Sequence, residues 1–564
     1  MRLEEFPLII PDIKKIETQF KALLKDFHLA KSAKEQKKVV DKIIKLTDEV
    51  ATQFTVISVR YTQDTRVEEY QKAQDAIDEM GPLFQALYNE YQKALIASPF
   101  RLELEKSLGK FLFEKIETSL KAFDPKIIEE LQKENKLTSQ YAKLMASAQI
   151  PFDGGVYNLS QMGKFADSLD RDIRRRSSKA VAKWFEKNEP ELAKIYSELV
   201  TLRDSMAKKL GFKNFIPLAY ARMGRTDYDA NDVAGYRAQV YRAVVPLSKK
   251  LVKRQAARIG IPNPKFYDLS LNFTSGNPTP KGDKNYLVAA AQNMYHDMGE
   301  DIGSFFDKMV ELNMLDLEAR PGKQGGGYMT YFPKYQMPFV FSNFNGTAGD
   351  VDVLTHEIGH AFQGYSSRKI KIPEYREPTM EEAEIHSMSM EFFAWPWMEK
   401  FFKEDKDKYL YSHLVGAINF LPYGVTVDEF QHYVYENPTH THEQRCATWR
   451  EIEKKYTPYK KYTGFPIYEK GTRWMRQGHI YSSPFYYIDY TLAQVVAFQF
   501  LTMMEEDRQL AWSRYVKLCK LGGSYPFTQL LKKAKLKNPF KQGTIARTVK
   551  KMEPILARFD DSKM

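Results

Sequence analysis

The sequence predicts a mainly α-helical protein with a small β-sheet in its second half. Hydrophobic residues make up 43% of the 564-residue chain, which is enough for a large core. Three segments rich in Lys, Glu, Leu and Ala, at residues 13–46, 70–97 and 102–120, place apolar residues at helical spacing. No fixed repeat or low-complexity linker stands out. We therefore expect antiparallel helices over residues 1–170 and a second region over residues 171–564, with a soft boundary.

One segment of the second region has the pattern of a β-strand. Residues 325–332 begin with three Gly and continue with Tyr328, Thr330 and Phe332 at alternating positions, which is typical of a half-exposed strand. The three Gly predict a turn. They do not predict a phosphate-binding loop, because no Lys-Ser or Lys-Thr follows at the required place.

A helix of about three turns is predicted after this segment. Asp350 or Asp352 can cap its beginning, after the helix breaker Gly349. Apolar residues then recur at helical spacing, and Gly364 is placed to end the helix.

This helix carries the pattern H-E-x-x-H. His356 and His360 are four residues apart, so their imidazoles lie on one side of the helix and can bind one zinc ion. Glu357 lies between them and can act as a base on a water molecule. The pattern therefore predicts metal-assisted hydrolysis of an amide. The alternative is an amphipathic helix with two partly buried, hydrogen-bonded histidines.

A catalytic zinc ion takes three protein ligands, so another His, Asp or Glu must pack against this helix. The metzincin spacing is excluded, because Ser366 stands where its third His would be and Gln363 where its Gly would be. Residues 378–393 predict a second helix, with Thr379 and Glu382 as a capping box. The first-turn acids Glu381 and Glu382 favour the helix N-terminus by their charge. The other acidic candidates on this helix are Glu384 and Glu391.

These two helices resemble those of the thimet oligopeptidase and oligoendopeptidase F family of zinc peptidases, in particular the bacterial oligoendopeptidase F and Pz-peptidase branch. In that family H-E-x-G-H is followed by a helix that carries the third ligand as E-x-x-S, the pattern found at residues 384–387. The resemblance implies that His356, His360 and Glu384 bind one Zn²⁺ and that Glu357 is the general base. Glu391 matches an acidic position of the family's second helix and would orient a ligand.

A second block, residues 479–490, resembles the oligoendopeptidase F pattern H-x-x-x-x-P-F-Y followed by further tyrosines. In the family one His and two Tyr, three residues apart, face the scissile carbonyl. By position these are His479, Tyr487 and Tyr490. Tyr486 is one residue away and stays an alternative to Tyr487. Residues 338–344 resemble a second strand before the zinc helix, and the edge of this sheet would hold the substrate backbone as an added strand.

The resemblance implies two helical lobes around a deep substrate channel, which would exclude folded proteins. It therefore implies cleavage of internal bonds in peptides of about five to twenty residues, with collagen-derived, Gly-Pro-containing peptides as one hypothesis. A carboxypeptidase-type exopeptidase on the same scaffold is the alternative. Such an enzyme needs a group that binds the free carboxylate, for which Arg445, Arg473 and Arg476 are candidates.

The net charge of +12 admits a third class, a non-catalytic basic protein that binds peptides or nucleic acid. The basic residues are scattered over helices that also carry acids, so we expect no nucleic-acid site. His440 and His442 lie two residues apart and diverge on a helix, so residues 440–443 are interpreted as a surface turn and helix start.

The cellular location is predicted from the absence of membrane-span and signal patterns in the sequence. No apolar stretch of 18 residues predicts a membrane span, and the charged beginning of the chain leads to no signal-length apolar segment. Cys446 and Cys519 do not form a disulfide framework. These features predict a cytoplasmic protein, although export without a leader would leave the same sequence. Nothing predicts the oligomeric state.

Overall fold

The computed structural model describes residues 1–564 and confirms the mainly α-helical class, with 70% helix and 4% strand. Six helices that pack against one another form most of the N-terminal part. They are α1 (Ile13–Leu29), α2 (Ala33–Gln63), α3 (Glu68–Ile96), α4 (Arg101–Leu108), α5 (Lys110–Lys121) and α6 (Ile128–Ala146).

Two of the predicted helical segments are each divided into two helices. The segment 13–46 is interrupted at Ala30, and α2 then begins after Ser32, whose side chain accepts the backbone N–H of Glu35 at 3.2 Å. The segment 102–120 is interrupted at Gly109, where φ is +96°. A residue without a side chain is favoured there because this backbone region is strained for others.

A short antiparallel hairpin, which the sequence pattern did not predict, follows α6. Its strands are β1 (Ile150–Phe152) and β2 (Gly155–Tyr157). Seven helices come next along the chain. They are α7 (Gly163–Ala166), α8 (Arg171–Lys209), α9 (Phe215–Arg222), α10 (Ala230–Ala243), α11 (Val245–Arg258), α12 (Lys284–Met298) and α13 (Glu300–Glu311).

The second sheet has three strands in the order β3-β5-β4. Strand β5 (Met337–Phe344) lies in the centre, parallel to β3 (Leu315–Glu318) and antiparallel to β4 (Tyr328–Phe332). Both predicted strands are therefore present, and β3 is an addition. Because β4 pairs on one side only, its other edge is free to accept a further strand.

The remaining helices follow this sheet and complete the fold. They are α14 (Gly349–Ser367), α15 (Pro373–Arg376), α16 (Met380–Phe393), α17 (Glu399–Phe402), α18 (Lys406–Glu436), α19 (His442–Tyr456), α20 (Pro466–Glu469), α21 (Gly478–Ser482), α22 (Tyr487–Glu506), α23 (Arg508–Leu521), α24 (Phe527–Lys533), α25 (Thr544–Lys550) and α26 (Met552–Leu556). None of the helices combines the length and the apolar composition that a membrane span requires.

The largest hydrophobic core joins the N-terminal helices to the rest of the chain. Val56 of α2 and Tyr141 of α6 belong to the same buried cluster as residues of the sheet and of α14, α16, α18 and α22. A smaller core of 13 buried residues lies among α1 to α5. Between the N-terminal helices and the sheet lies a cavity of about 1280 Å³, lined by α2, α6, β4, α14 and α16.

Candidate metal centre and active site

Helix α14, which carries both predicted histidine ligands, is longer than its sequence pattern suggested. It spans 19 residues, about five turns, and Gly364 does not end it. The predicted caps are also wrong. Asp350 lies in the first turn and accepts the backbone N–H groups of Asn345 and Gly346 at 2.9 and 2.8 Å. It therefore holds the loop that leads from β5 into the helix.

Helix α16 crosses α14 very closely at Gly359. A Cβ atom at this position would lie 2.6 Å from both the carbonyl oxygen of His386 and the Cα atom of Ser387. Both are backbone groups that cannot rotate away, so only glycine fits between the two helices. This close approach brings Glu384 of α16 next to the two histidines of α14.

Three side chains meet at this crossing. Glu384 Oε2 lies 3.2 Å from His356 Nε2 and 3.3 Å from His360 Nε2, and all three atoms lie within 4.8 Å of one another. Zinc bonds of about 2.0–2.1 Å to nitrogen and oxygen require ligand atoms about 3.3 Å apart in a tetrahedron. The two distances to Glu384 match this spacing, and two imidazole nitrogens with one carboxylate oxygen are ligand types that zinc binds.

Further hydrogen bonds fix these three side chains. Glu391 accepts from His356 Nδ1 at 2.7 Å through one oxygen and contacts His413 Nε2 at 2.8 Å through the other. Ser387 Oγ donates to Glu384 Oε2 at 2.8 Å, and the hydroxyl of Tyr486 donates to the other oxygen of Glu384. A carboxylate on the second nitrogen of a ligand histidine fixes its orientation and makes it a better ligand.

Replacing Glu391 with Gln is expected to weaken zinc binding about 10- to 100-fold. The amide keeps the shape but removes the charge that supports His356, and it can accept from only one of its two histidine partners. Competition with a fluorescent zinc chelator measures the dissociation constant. The control is Glu399→Gln, which changes an exposed carboxylate outside the site. Unchanged zinc affinity in Glu391→Gln would show that Glu391 does not support the ligand.

The charges around the metal ligands favour a bound cation. Burial opposes ionisation of Glu384, but His360 and His356 outweigh burial and hold its pKa well below the usual value. Burial raises the pKa of Glu357, and the two histidines oppose this only in part. One oxygen of Glu357, Oε2, is buried without any hydrogen-bond partner. Glu357 also lines the cavity, so its carboxylate is placed to accept a proton from a molecule that enters there.

His479 faces the metal ligands from the opposite side and belongs to a chain of hydrogen bonds. Tyr423 donates to Gln477 Oε1 at 2.9 Å, and Gln477 Nε2 contacts His479 Nδ1 at 2.8 Å. His479 Nε2 lies 3.0 Å from the hydroxyl of Tyr490. Burial lowers the pKa of His479 to about 4, so the imidazole is neutral at pH 7. Tyr423 and Gln477 had no motif that could identify them.

The structure separates the three neighbouring tyrosines. Tyr486 and Tyr490 line the cavity, and their rings stack with centroids 4.9 Å apart. Tyr487 does not line the cavity; its ring packs behind it, against Phe420 and Tyr423 and against the rings of His479 and Tyr490. The geometry therefore favours Tyr486 over Tyr487 at the site.

An unusual backbone conformation before α22 produces this arrangement. Phe485 has a φ of +68°, which is strained for a residue with a bulky side chain. Gln431 accepts its N–H at 2.8 Å, and Arg225 donates to its carbonyl oxygen at 2.7 Å. Arg225 in turn pairs with the buried Asp489 at 2.7 Å. These contacts hold the turn that points Tyr486 at Glu384.

The other histidines considered from the sequence, and the candidate Arg445, lie outside the site. His386 of α16 is buried, and its Nδ1 atom lies 3.4 Å from Cys519 Sγ. Thr441 and Gln444 form a capping box at the start of α19, as interpreted, so His440 and His442 belong to a helix start. Arg445 is buried and donates to Ser197 and to the carbonyl of Pro438.

A mainly helical scaffold that presents two histidines and the neighbouring glutamates Glu357 and Glu384 to a peptide-sized cavity defines a metallo-oligopeptidase. The chain belongs to peptidase family M3: residues 165–549 match Peptidase family M3, and residues 3–123 match the Peptidase M3 N-terminal domain. The resemblance seen in the sequence is thereby confirmed.

Individual relatives agree with this assignment. The chain is 22% identical to the oligopeptidase PepF of Bacillus subtilis (strain 168), over 93% of this chain and 79% of that protein. It is 49% identical to Pz peptidase A, solved with an inhibitor, with a TM-score of 0.99 and 100% of both chains covered. A protein provisionally named oligoendopeptidase F is 51% identical, with the same TM-score of 0.99 and 100% of both chains covered.

Proposed function

We propose that this protein is a zinc-dependent oligopeptidase that hydrolyses internal bonds of short peptides. The observation that carries the proposal is the meeting of His356, His360 and Glu384, with Glu384 Oε2 3.2 and 3.3 Å from the two histidine nitrogens, in a cavity that Glu357 also lines. Family M3 membership supports a peptide substrate. The matching geometry supports zinc as the metal.

The cavity supports short, extended peptides as substrates. Its volume of about 1280 Å³ exceeds the usual size of small-molecule pockets, which is about 300–1,000 Å³. Residues 325–331, including most of β4, line it, so the free edge of the sheet is open to a peptide backbone as an added strand. The preference for collagen-derived, Gly-Pro-containing peptides and the cytoplasmic location stay predictions.

Glu357 is the general base in this proposal. A zinc ion held by His356, His360 and Glu384 would supply a Lewis acid that lowers the pKa of water and polarises the substrate carbonyl. The carboxylate of Glu357, which lines the cavity, accepts the proton of the attacking water. Burial raises the pKa of Glu357, which makes it a better base; once protonated, it can pass the proton to the leaving amine.

The hydrogen-bond chain through His479 prepares Tyr490 to donate to the substrate. With Gln477 donating to Nδ1, neutral His479 carries its proton on Nε2 and donates it to the oxygen of Tyr490. The hydroxyl proton of Tyr490 is then free for the carbonyl oxygen, which gains negative charge as water adds. Tyr486 has a different task in this arrangement, because its hydroxyl is engaged by Glu384.

Replacing Tyr490 with Phe is expected to lower kcat about 10²- to 10³-fold and to change KM little, because the lost hydrogen bond forms in the transition state. Steady-state kinetics on a quenched fluorescent peptide measures both constants. Tyr487→Phe is the matched comparison and should have a much smaller effect, since this ring lies outside the cavity. An effect confined to KM would show that Tyr490 does not donate to the carbonyl oxygen in the transition state. A larger loss in Tyr487→Phe than in Tyr490→Phe would show that Tyr487 acts at the site, as the family pattern implies.

One experiment tests the proposed function as a whole. The purified protein is assayed for zinc content and for cleavage of quenched peptides, before and after removal of zinc by a chelator and after its return. We expect cleavage that disappears with zinc and returns with it. Mass spectrometry of the products from N- and C-terminally blocked peptides then identifies internal cleavage. Cleavage that does not need a metal would refute the proposal, and failure on every blocked peptide would favour the exopeptidase alternative.

A further inference from the structure

Four cationic side chains line the cavity, and two of them have acidic partners. Lys323 lies 2.8 Å from Asp316 Oδ1, and Arg376 lies 2.6 Å from Asp48 Oδ1. These two cations are neutralised within the chain. They hold the sheet and the loop before α16 in place and carry no net positive charge into the cavity.

The other two cations, Arg473 and Arg476, have no acidic partner. No carboxylate oxygen lies within 4.0 Å of either guanidinium, and neither forms a hydrogen bond within the chain. The guanidinium carbon of Arg473 lies 4.8, 5.4 and 6.0 Å from the ring centroids of Tyr468, Phe266 and Tyr462, contacts that use none of its N–H groups as hydrogen-bond donors to an acid. Arg476 is exposed to the cavity and has no such ring. Both guanidinium groups are therefore free to donate to a ligand.

The surroundings make this end of the cavity strongly positive. Lys460 lies nearby, and burial together with Arg473 and Arg476 lowers its pKa to about 8. Glu453, an acid in this region, is occupied by Tyr462 at 2.5 Å and by Arg450 at 3.3 Å. Cations held side by side without a counter-charge cost stability. Such a cost is typical of a site that receives its counter-charge from a ligand.

The free arginines lie close to the reacting groups. Arg476 is three residues before His479, and three residues span at most about 10 Å of backbone. Gln477, which bonds to His479, lies between them. A ligand group bound by Arg476 would therefore lie in the same cavity as the reacting groups.

We propose that Arg473 and Arg476 form a subsite for a carboxylate of the peptide substrate, in the same cavity as the reacting groups. The planar guanidinium groups match a carboxylate through paired N–H···O bonds. The carboxylate is either the C-terminus of a short peptide or the side chain of an Asp or Glu residue. The proposal rests on the peptidase function, but its binding step is measurable without any turnover.

The test compares four short, otherwise neutral peptides with a fluorophore on the N-terminus. One ends in a free carboxylate, one in an amide, and two further amidated peptides carry an internal Glu or Gln. Their dissociation constants are measured by fluorescence anisotropy on the zinc-loaded, inactive Glu357→Gln protein, alone and combined with Arg473→Gln or Arg476→Gln. Arg508→Gln, at an exposed arginine outside the cavity, is the matched control.

We expect the carboxylate peptides to bind at least about 10-fold more tightly than their amide partners. Each arginine substitution in the subsite should reduce that ratio, and Arg508→Gln should preserve it. A preference for the free C-terminus over the amide, or for Glu over Gln, identifies the source of the carboxylate. The subsite would be refuted if each carboxylate peptide bound no more tightly than its amide partner. It would also be refuted if the affinity ratio stayed unchanged in both Arg473→Gln and Arg476→Gln. Absence of cleavage in the parent protein would instead refute the peptidase function.

Discussion

The Glu357→Gln protein is expected to bind zinc as tightly as the parent protein and to hydrolyse peptides about 10²- to 10⁴-fold more slowly. The substitution keeps the size and shape of the side chain at a buried position, so the fold and the three metal ligands stay in place. It removes the group that accepts the proton from water and later returns it to the leaving amine. Kinetics on a quenched peptide, with the zinc content measured on the same sample, separates the two effects.

Two outcomes would contradict this expectation. Turnover close to that of the parent protein would show that another group accepts the proton, and would remove Glu357 from the mechanism. Loss of zinc in parallel with activity would show instead that Glu357 supports the metal. The pH profile gives a further check, because the limb of kcat/KM that reports ionisation of the base should disappear in the variant.

The Glu384→Gln protein is expected to lose zinc and, with it, all measurable activity. Glu384 supplies the only negative charge in the ligand set, and its Oε2 atom lies within 3.3 Å of both histidine nitrogens. Outer contacts of metal ligands are worth about 10- to 100-fold in affinity, so loss of a direct ligand should exceed about 100-fold. Zinc content after dialysis measures this loss directly. Thermal melting with and without zinc measures it independently, since a tightly bound metal raises the Tm.

The same helix provides a matched control for this variant. Glu382 is fully buried two residues before Glu384, and burial together with Glu381 raises its pKa well above the usual value. Glutamine has the same size as glutamate and Glu382 is not part of the metal cluster, so Glu382→Gln should keep zinc. Stoichiometric zinc in Glu384→Gln, or equal losses in the two variants, would contradict the assignment of Glu384 as a ligand.

Much of the fold follows from local patterns, and what was missed depends on distant partners. The helical segments and strand β4 were predicted because their apolar spacing is a property of the local sequence. Strand β3 has four residues and exists by pairing with β5, more than 20 positions later. The hairpin of β1 and β2 has strands of three residues each, which are too short for a periodic pattern. The continuation of α14 past Gly364 depends on its packing.

The candidate site also contains some residues that local sequence identifies and others that depend on distant parts of the chain. His356, Glu357 and His360 are recognisable by spacing, because a helix alone brings them together. Glu384 needed the family pattern, since 28 residues separate it from His356 and several acids were available. The choice between Tyr486 and Tyr487 could not be made from sequence. It depends on the positive φ of Phe485, which Gln431 and Arg225 impose from other helices.

Gly359 has no Cβ atom, and both the stability of the fold and the metal affinity depend on that absence. Adding one methyl group there would force α14 and α16 apart by several tenths of an ångström, whereas metal–ligand distances tolerate only about 0.2 Å. Gly359→Ala should therefore lower the melting temperature of the metal-free protein and weaken zinc binding together. Evolution cannot adjust one property at this position without disturbing the other, and compensation would have to come from reshaping residues 386–390 of the facing helix.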